Sequence, residues 1–228
     1  MMMRLIALAA GAGTASAPRE IPYRQPLKRA VDVTAALGLL AVSAPIMLAA
    51  AALIRLTSAG PAVIRQTRVG AGGTEFSLFK LRTMINDAER YTGPVMAVHG
   101  DRRITAVGRV LRALRIDELP QLFNVLLGEM SLVGPRPERP YFVEIYRRRI
   151  PGYDLRHRVR PGITGLAQIY GHYSSMAEHK LRYDLAYIQN CSLALDAEIL
   201  CKTILIVLQP SRSEGLRRTP LSSQSLRH

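Results

Sequence analysis

Tryptophan is absent from this 228-residue chain, phenylalanine occurs four times, and 17 acidic residues stand against 31 lysines and arginines. The shortage of large planar rings argues against a single-stranded nucleic-acid binder, which needs stacking platforms, although the nine tyrosines could partly serve. The shortage of acid leaves a net charge of +14 and calls for an anionic partner: nucleic acid, phospholipid headgroups or phosphorylated small molecules. The basic residues recur in short clusters and form no single block. The two cysteines, Cys191 and Cys201, have no metal-ligand spacing and no disulfide framework, so free thiols in a reducing compartment are expected. His99, His157, His172 and His179 lack ligand spacing too, and read as surface or satisfied histidines. No internal repeat is evident.

Charge is also missing between Val33 and Ile54. At about 1.5 Å rise per residue that stretch is long enough for a membrane span, which needs roughly 20 apolar residues. Arg19, Arg24, Lys28 and Arg29 precede it, and Arg55, Arg65 and Arg68 follow it, so by the positive-inside rule both ends belong on the cytoplasmic side. A hairpin-like re-entrant helix satisfies both flanks. Pro45 supplies the bend, because its ring clashes with the carbonyl four residues back and removes a backbone donor. Ser43 stands where its hydroxyl can back-bond a freed carbonyl. An ordinary span with a tolerated proline is the alternative, and a buried core helix fits the length less well.

Four segments are expected. Residues 1–26 read as a weakly ordered leader; Ala15-Ser16-Ala17 imitates a signal-peptide cleavage site, but the apolar run before it is short and diluted by Gly11, Gly13 and Thr14. Residues 27–57 form the membrane helix, 58–209 a catalytic domain, and 210–228 a polar, mobile tail. Within the domain, Val63 to Gln66 and Glu75 to Arg82 are strand candidates around the turn-forming Gly70-Ala71-Gly72-Gly73, with Lys80 and Arg82 pointing the same way. Helices are expected from Asp87 to Arg90, Arg109 to Arg115, Leu119 to Leu127, Tyr141 to Arg149 and Leu181 to Gln189. The last apolar segment, Leu193 to Leu208, carries Asp196, Glu198 and Lys202, which favour a surface or interfacial amphipathic helix over a second span.

Chemistry is sought where charges are placed against their usual preferences. Ile116-Asp117-Glu118-Leu119-Pro120 puts adjacent carboxylates at a helix start, where negative charge is favoured. Asp117 reads as the N-cap with Pro120 in the first turn, and capping alone would explain it. Arg109, Arg112 and Arg115 just upstream change the balance, since nearby cations favour the charged carboxylate that a nucleophile requires. Val133-Gly134-Pro135-Arg136-Pro137-Glu138 sets an arginine between two prolines, each locking its own φ and restricting its predecessor, which suits bidentate capture of a phosphate. Arg160-Pro161-Gly162-Ile163-Thr164-Gly165 is a second rigid turn, whose backbone could approach a ligand closely. A stiff connector is the plain reading of either loop.

The ordered motifs Lys28-Arg29-x-x-Asp32, Gln66-x-Arg68-x-Gly70, Lys80-Leu81-Arg82-Thr83-Met84, Gly108-Arg109-x-Leu111-Arg112, Asp117-Glu118-Leu119-Pro120-Gln121, Asn124-Val125, Gly134-Pro135-Arg136-Pro137-Glu138 and Pro161-Gly162-Ile163-Thr164-Gly165 together resemble a bacterial sugar transferase. More narrowly, they resemble the monotopic phosphoglycosyl transferases that prime exopolysaccharide and other glycoconjugate assembly. The resemblance runs from about Leu27 to Leu208. It implies an α+β, mainly helical fold, with a proline-kinked re-entrant membrane helix at the N-terminus and a small cytoplasmic catalytic domain at the bacterial inner membrane. The implied reaction moves a sugar 1-phosphate from a UDP-sugar to polyprenyl (undecaprenyl) phosphate, releasing UMP. Asp117 aligns with the nucleophile, Glu118 with a partner that binds Mg2+, and Arg112 with a residue holding substrate phosphate. Lys80, Arg82 and Arg136 fall in the family's basic motifs, and Ser43 and Pro45 at the helix bend.

The implied partners are the UDP-sugar, the lipid phosphate, the cytoplasmic leaflet and downstream glycosyltransferases, with a homodimer compatible and nucleic acid excluded. Two departures stand out: Ala44 intervenes between Ser43 and Pro45 where many relatives place serine next to the proline, and Cys191 stands where some carry tryptophan. The additional multi-span region of larger relatives is not expected. A membrane-tethered basic adaptor would explain the charge but not the Asp117-Glu118 pair. A lipid-phosphate phosphohydrolase would usually need more metal ligands or a histidine base.

Overall fold

The computed structural model describes residues 25–90, 93–95, 100–170 and 176–208. Nearly all of the expected leader, the tail at 210–228, His99 and His172 lie outside them. Helices dominate the described residues, with two small two-stranded sheets.

Helix α1 (Gln25–Thr57) continues through Pro45 as one element. It is long and apolar enough to cross a membrane. The protein covers one stripe of it, burying Ala36, Ala50 and Ile54, and leaves Val42, Leu48 and Leu56 at 74%, 72% and 82% exposure. So apolar an outer face has no favourable place in water. The hydroxyl of Ser43 is buried and makes no hydrogen bond among the described residues, so the expected back-bond to a freed carbonyl is not formed.

Strands β1 (Val63–Val69) and β2 (Glu75–Leu81) pair antiparallel, with Val63 opposite Leu81 and Val69 opposite Glu75. A tight turn at Ala71–Gly73 joins them, as the glycine cluster predicts. The helix expected at Asp87 to Arg90 is a series of turns, with Asp87 left-handed at φ 53°. That short polar run has no apolar stripe to bury, and asparagine and aspartate tolerate the left-handed region. Helix α2 (Ala106–Ala113) starts on Thr105, whose hydroxyl accepts from Gly108 N at 2.9 Å. Helix α3 (Gln121–Leu127) begins later than expected, and Pro120 rather than Asp117 occupies its N-cap.

Strand β3 (Ser131–Val133), α4 (Pro140–Arg149), β4 (Gly162–Thr164), α5 (Leu166–Tyr170), α6 (Ala177–Asn190) and α7 (Leu193–Leu208) complete the domain. The parallel β3–β4 pair was not anticipated. It forms where the two stiff loops meet, and there Gly162 is obligatory: a Cβ on it would lie 2.1 Å from Gly134 N and 2.4 Å from Thr164 O. The close approach that Gly162 permits here is of backbone to backbone.

The main core packs Ala36 of α1 against Leu122, Val125, Leu132, Leu185, Ile188, Leu195 and Ile199. The second half of α1 joins a smaller cluster through Ala50, Ile54, Leu81 and Leu111. Polar contacts fasten the N-terminal end of α1. Arg29 donates to the carbonyls of Val125 and Leu126 at the C-terminus of α3, and Asp32 accepts from Leu132 N at 3.1 Å. Lys28 pairs with Asp196 at 2.6 Å, and Asp196 also accepts from Tyr187 at 2.8 Å. Asp196 is therefore buried rather than on the surface face expected for α7, because a cation and a hydroxyl await it inside. The same helix exposes Ile204 and Leu205. Both cysteines are free, Cys191 buried and Cys201 exposed.

Candidate active site

Arg115 takes a left-handed conformation at φ 58°, which ends α2 and turns the chain into the single helical turn Ile116–Glu118. That turn carries Asp117 and Glu118 into the interior, at 2% and 8% exposure. Buried carboxylates require partners. Lys80 reaches in from β2, with Nζ 2.8 Å from Asp117 Oδ2. Arg136 reaches in from the loop after β3 and donates to Glu118 Oε1 at 2.5 Å, while Arg115 lies 3.6 Å from Glu118 Oε2.

Burial alone would raise the Glu118 pKa. The charges of Arg136, Lys80 and Arg115, with the Arg136 hydrogen bond, override it and hold the carboxyl at about 2. A depressed carboxyl pKa contributes stability that is present above the ordinary range and is lost only as pH falls through the folded value. Glu118 is thus ionised at any physiological pH. Glu118 in turn holds the Arg136 guanidinium charged, against the opposing effect of burial.

The other expected residues lie differently. Arg112 donates from Nε to Thr83 Oγ1 at 2.7 Å, and its terminal nitrogens make no hydrogen bond among the described residues. Arg82 does not accompany Lys80. Its guanidinium turns to the end of α1, donating to the carbonyls of Ala59 and Ser58 and to Ser58 Oγ, the latter two each at 2.9 Å. Strand β2 has ended at Leu81, so the alternation that placed both cations on one face no longer applies. Arg82 ties the end of α1 to the strand that presents Lys80.

Asn124 was missed as a site-forming residue. Fully buried in α3, it accepts from Phe79 N at 3.0 Å and donates to Ser77 O and Glu129, thereby holding β2 and Lys80 beside the carboxylates. Its signal is an amide inside an apolar helical stripe, where an unpaired polar group would be costly.

No group of three or more histidine, cysteine, aspartate or glutamate side chains converges among the described residues. Magnesium needs less, since one or two carboxylates with substrate phosphate and water suffice. Glu118 suits it. One oxygen is taken by Arg136, while the other has its nearest cation beyond hydrogen-bonding reach at 3.6 Å and keeps lone pairs to offer.

Residues 23–210 match the family model described as bacterial sugar transferase. The chain is 48% identical, over 80% of its length, to UDP-N-acetylgalactosamine-undecaprenyl-phosphate N-acetylgalactosaminephosphotransferase of Aeromonas hydrophila, and covers 44% of that relative. It is also 48% identical, over 78% of its length, to UDP-glucose:undecaprenyl-phosphate glucose-1-phosphate transferase of Caulobacter vibrioides, covering 68% of it. A third relative, the exopolysaccharide production protein PSS of Rhizobium leguminosarum bv. phaseoli, is 40% identical over 83% of this chain and is covered over 98% of its own length.

Proposed function

The chain belongs to the bacterial sugar transferase family, and on that premise we propose that it transfers a sugar 1-phosphate from a UDP-sugar to a polyprenyl phosphate such as undecaprenyl phosphate. UMP is the leaving product, and the lipid-linked sugar primes exopolysaccharide or glycoconjugate synthesis. The observation that carries this reading is the buried Asp117 and Glu118 pair held between Lys80 and Arg136. Relatives named for that reaction support it.

The exchange runs in two steps through Asp117. The Asp117 oxygen not engaged by Lys80 attacks the sugar-bearing phosphorus. An oxygen–phosphorus bond forms, the bond to the bridging oxygen breaks, and UMP leaves with the electron pair. A phosphate oxygen of the lipid then attacks the same phosphorus, the bond to Asp117 breaks, and the free carboxylate returns. Lys80 keeps the carboxylate oriented. Arg136 and the terminal nitrogens of Arg112 receive donor phosphate oxygens. At 2% exposure Asp117 is shielded from bulk water, which protects its acyl phosphate from hydrolysis. Glu118 would hold magnesium, which when bound supplies charge neutralisation to the diphosphate as UMP departs. Ping-pong kinetics follow.

UMP release from a panel of UDP-sugars tests this. With donor alone, wild-type enzyme should release UMP only up to its own stoichiometry, and continuously once polyprenyl phosphate is supplied. Glu118→Gln should raise the magnesium concentration needed for half-maximal rate by roughly 10-fold or more. Inorganic phosphate released from polyprenyl phosphate, with no UMP from any donor, would indicate the lipid-phosphate phosphohydrolase, and neither product would leave the adaptor reading.

In the same reading α1 is re-entrant at the inner membrane, bent near Pro45, with the domain facing the cytoplasm. The positive flanks on both sides of its apolar run support that topology. Cysteine tags placed at each terminus should both react only from the cytoplasmic side, whereas a periplasmic N-terminus would restore the ordinary span.

A further inference from the structure

The loop that carries Arg136 is gripped along its backbone. Four consecutive carbonyls accept hydrogen bonds from four different donors. Pro135 O accepts from Gly162 N at 2.9 Å and Glu138 O from Val69 N at 2.9 Å. Between them, Arg136 O accepts from Arg156 Nη2 at 2.8 Å and Pro137 O from Arg68 Nη1 at 3.0 Å. With two of the four residues proline, little freedom remains in the segment.

The two arginines are themselves held. Arg156 donates to Asp184 Oδ2 at 3.0 Å and to Tyr153 Oη at 2.6 Å, all three groups being buried. Arg68 donates to Gln66 Oε1 at 2.6 Å and lies 3.8 Å from Glu138 Oε2. Burial and then the charge of Arg136 bring the Arg68 guanidinium down to about 10. Arg68 and Arg136 therefore repel one another. A neutral donor would satisfy Pro137 O without that repulsion, so the charge needs another reason. A cation behind the loop favours an Arg136 guanidinium directed away from it, toward Glu118, and a planar fork fixes the distance.

We infer that Arg68 and Arg156 are positioning residues for the transfer: they hold the Arg136 backbone so that its guanidinium stands against Glu118 before the donor diphosphate arrives. This rests on the phosphotransfer reading, which takes Arg136 as a group that meets substrate phosphate. Neither arginine touches substrate. The motif Gln66-x-Arg68-x-Gly70 and the arginine before His157 acquire a role that their positions in the chain do not reveal.

The test is a double-mutant cycle. Arg68→Lys and Asp184→Asn, the latter freeing Arg156, are each made in the wild type and in Arg136→Lys. UMP release is followed with UDP-glucose or UDP-N-acetylgalactosamine, whichever the wild type uses, together with amide exchange at Val69 and Gly162. Misplacing Arg136 should cost about 10-fold or more in kcat in the wild-type background, with faster exchange at both amides. In Arg136→Lys the same changes should cost less than about twofold, because residues acting through one group are not additive. Equal losses in the two backgrounds, or no loss in the wild type, would overturn the inference. If Asp184→Asn does not fold, Arg68→Lys alone carries the cycle, since it keeps the charge of a side chain that is 16% exposed. A wild type that releases no UMP fails the transferase reading instead. Amide exchange then decides this one, and unchanged protection at Val69 and Gly162 would sink it.

Discussion

Asp117→Asn is expected to lower UMP release by on the order of 10^3-fold or more, since an amide cannot form the acyl phosphate and the remaining groups only bind. Incubated with donor alone, the wild type should gain the mass of one phosphosugar, and the variant none. Asparagine has nearly the same volume and can still accept from Lys80 across the 2.8 Å contact, so membrane association and fold should survive. Unpairing the lysine charge should cost roughly 1–3 kcal/mol of stability. That separates loss of chemistry from loss of structure. A variant that keeps multiple turnover at near wild-type rate would remove the covalent route, whatever the family.

The second large effect is on stability. In Gly162→Ala, a methyl group must fit 2.1 Å from Gly134 N, 2.4 Å from Thr164 O and 2.7 Å from Gly134 Cα. All three neighbours are backbone, which cannot swing aside as a side-chain tip can. Overpacking of this kind costs about 3 kcal/mol or more. For a domain of this size that lowers Tm by about 10 °C, at roughly 2–4 °C per kcal/mol. Gly38→Ala is the control, because nothing lies within 4 Å of a Cβ there. Removing glycine from a helix interior should leave it neutral or stabilised by up to about 1 kcal/mol. Activity in Gly162→Ala should fall further than stability alone explains, because Gly162 N also holds Pro135 O beside Arg136. A Gly162→Ala protein that melts within a degree or so of wild type would contradict the close approach of β3 and β4.

Elements that depend on neighbours three or four residues apart were legible in advance. The apolar run from Leu193 to Leu208 is α7 with the same bounds, and the glycine cluster closes the β1–β2 hairpin where expected. Asp117, Glu118, Lys80 and Arg136 do come together; a helix start brought the two carboxylates to notice, proline-locked φ angles Arg136, and strand alternation with the family resemblance Lys80. Arg82 shows where such reasoning stops. Its partners, Ser58 and Ala59, stand 24 and 23 positions earlier, and strand alternation says nothing about what lies beyond the strand's last residue. Asp196 shows it again, paired with Lys28 at a separation of 168 residues.

The amino-acid order alone thus determined the periodic and stiff parts: the long helix with its uncharged run, the hairpin, the carboxylate pair and the arginine between prolines. Each follows from sterics and apolar spacing within a few residues. Only the tertiary structure decided which cation meets which carboxylate, that the two stiff loops join as parallel strands, and that Arg68 and Arg156 hold a backbone. Those outcomes follow from which buried charges and carbonyls must find a partner once water is gone, and the partners are supplied by parts of the chain that sequence proximity does not connect.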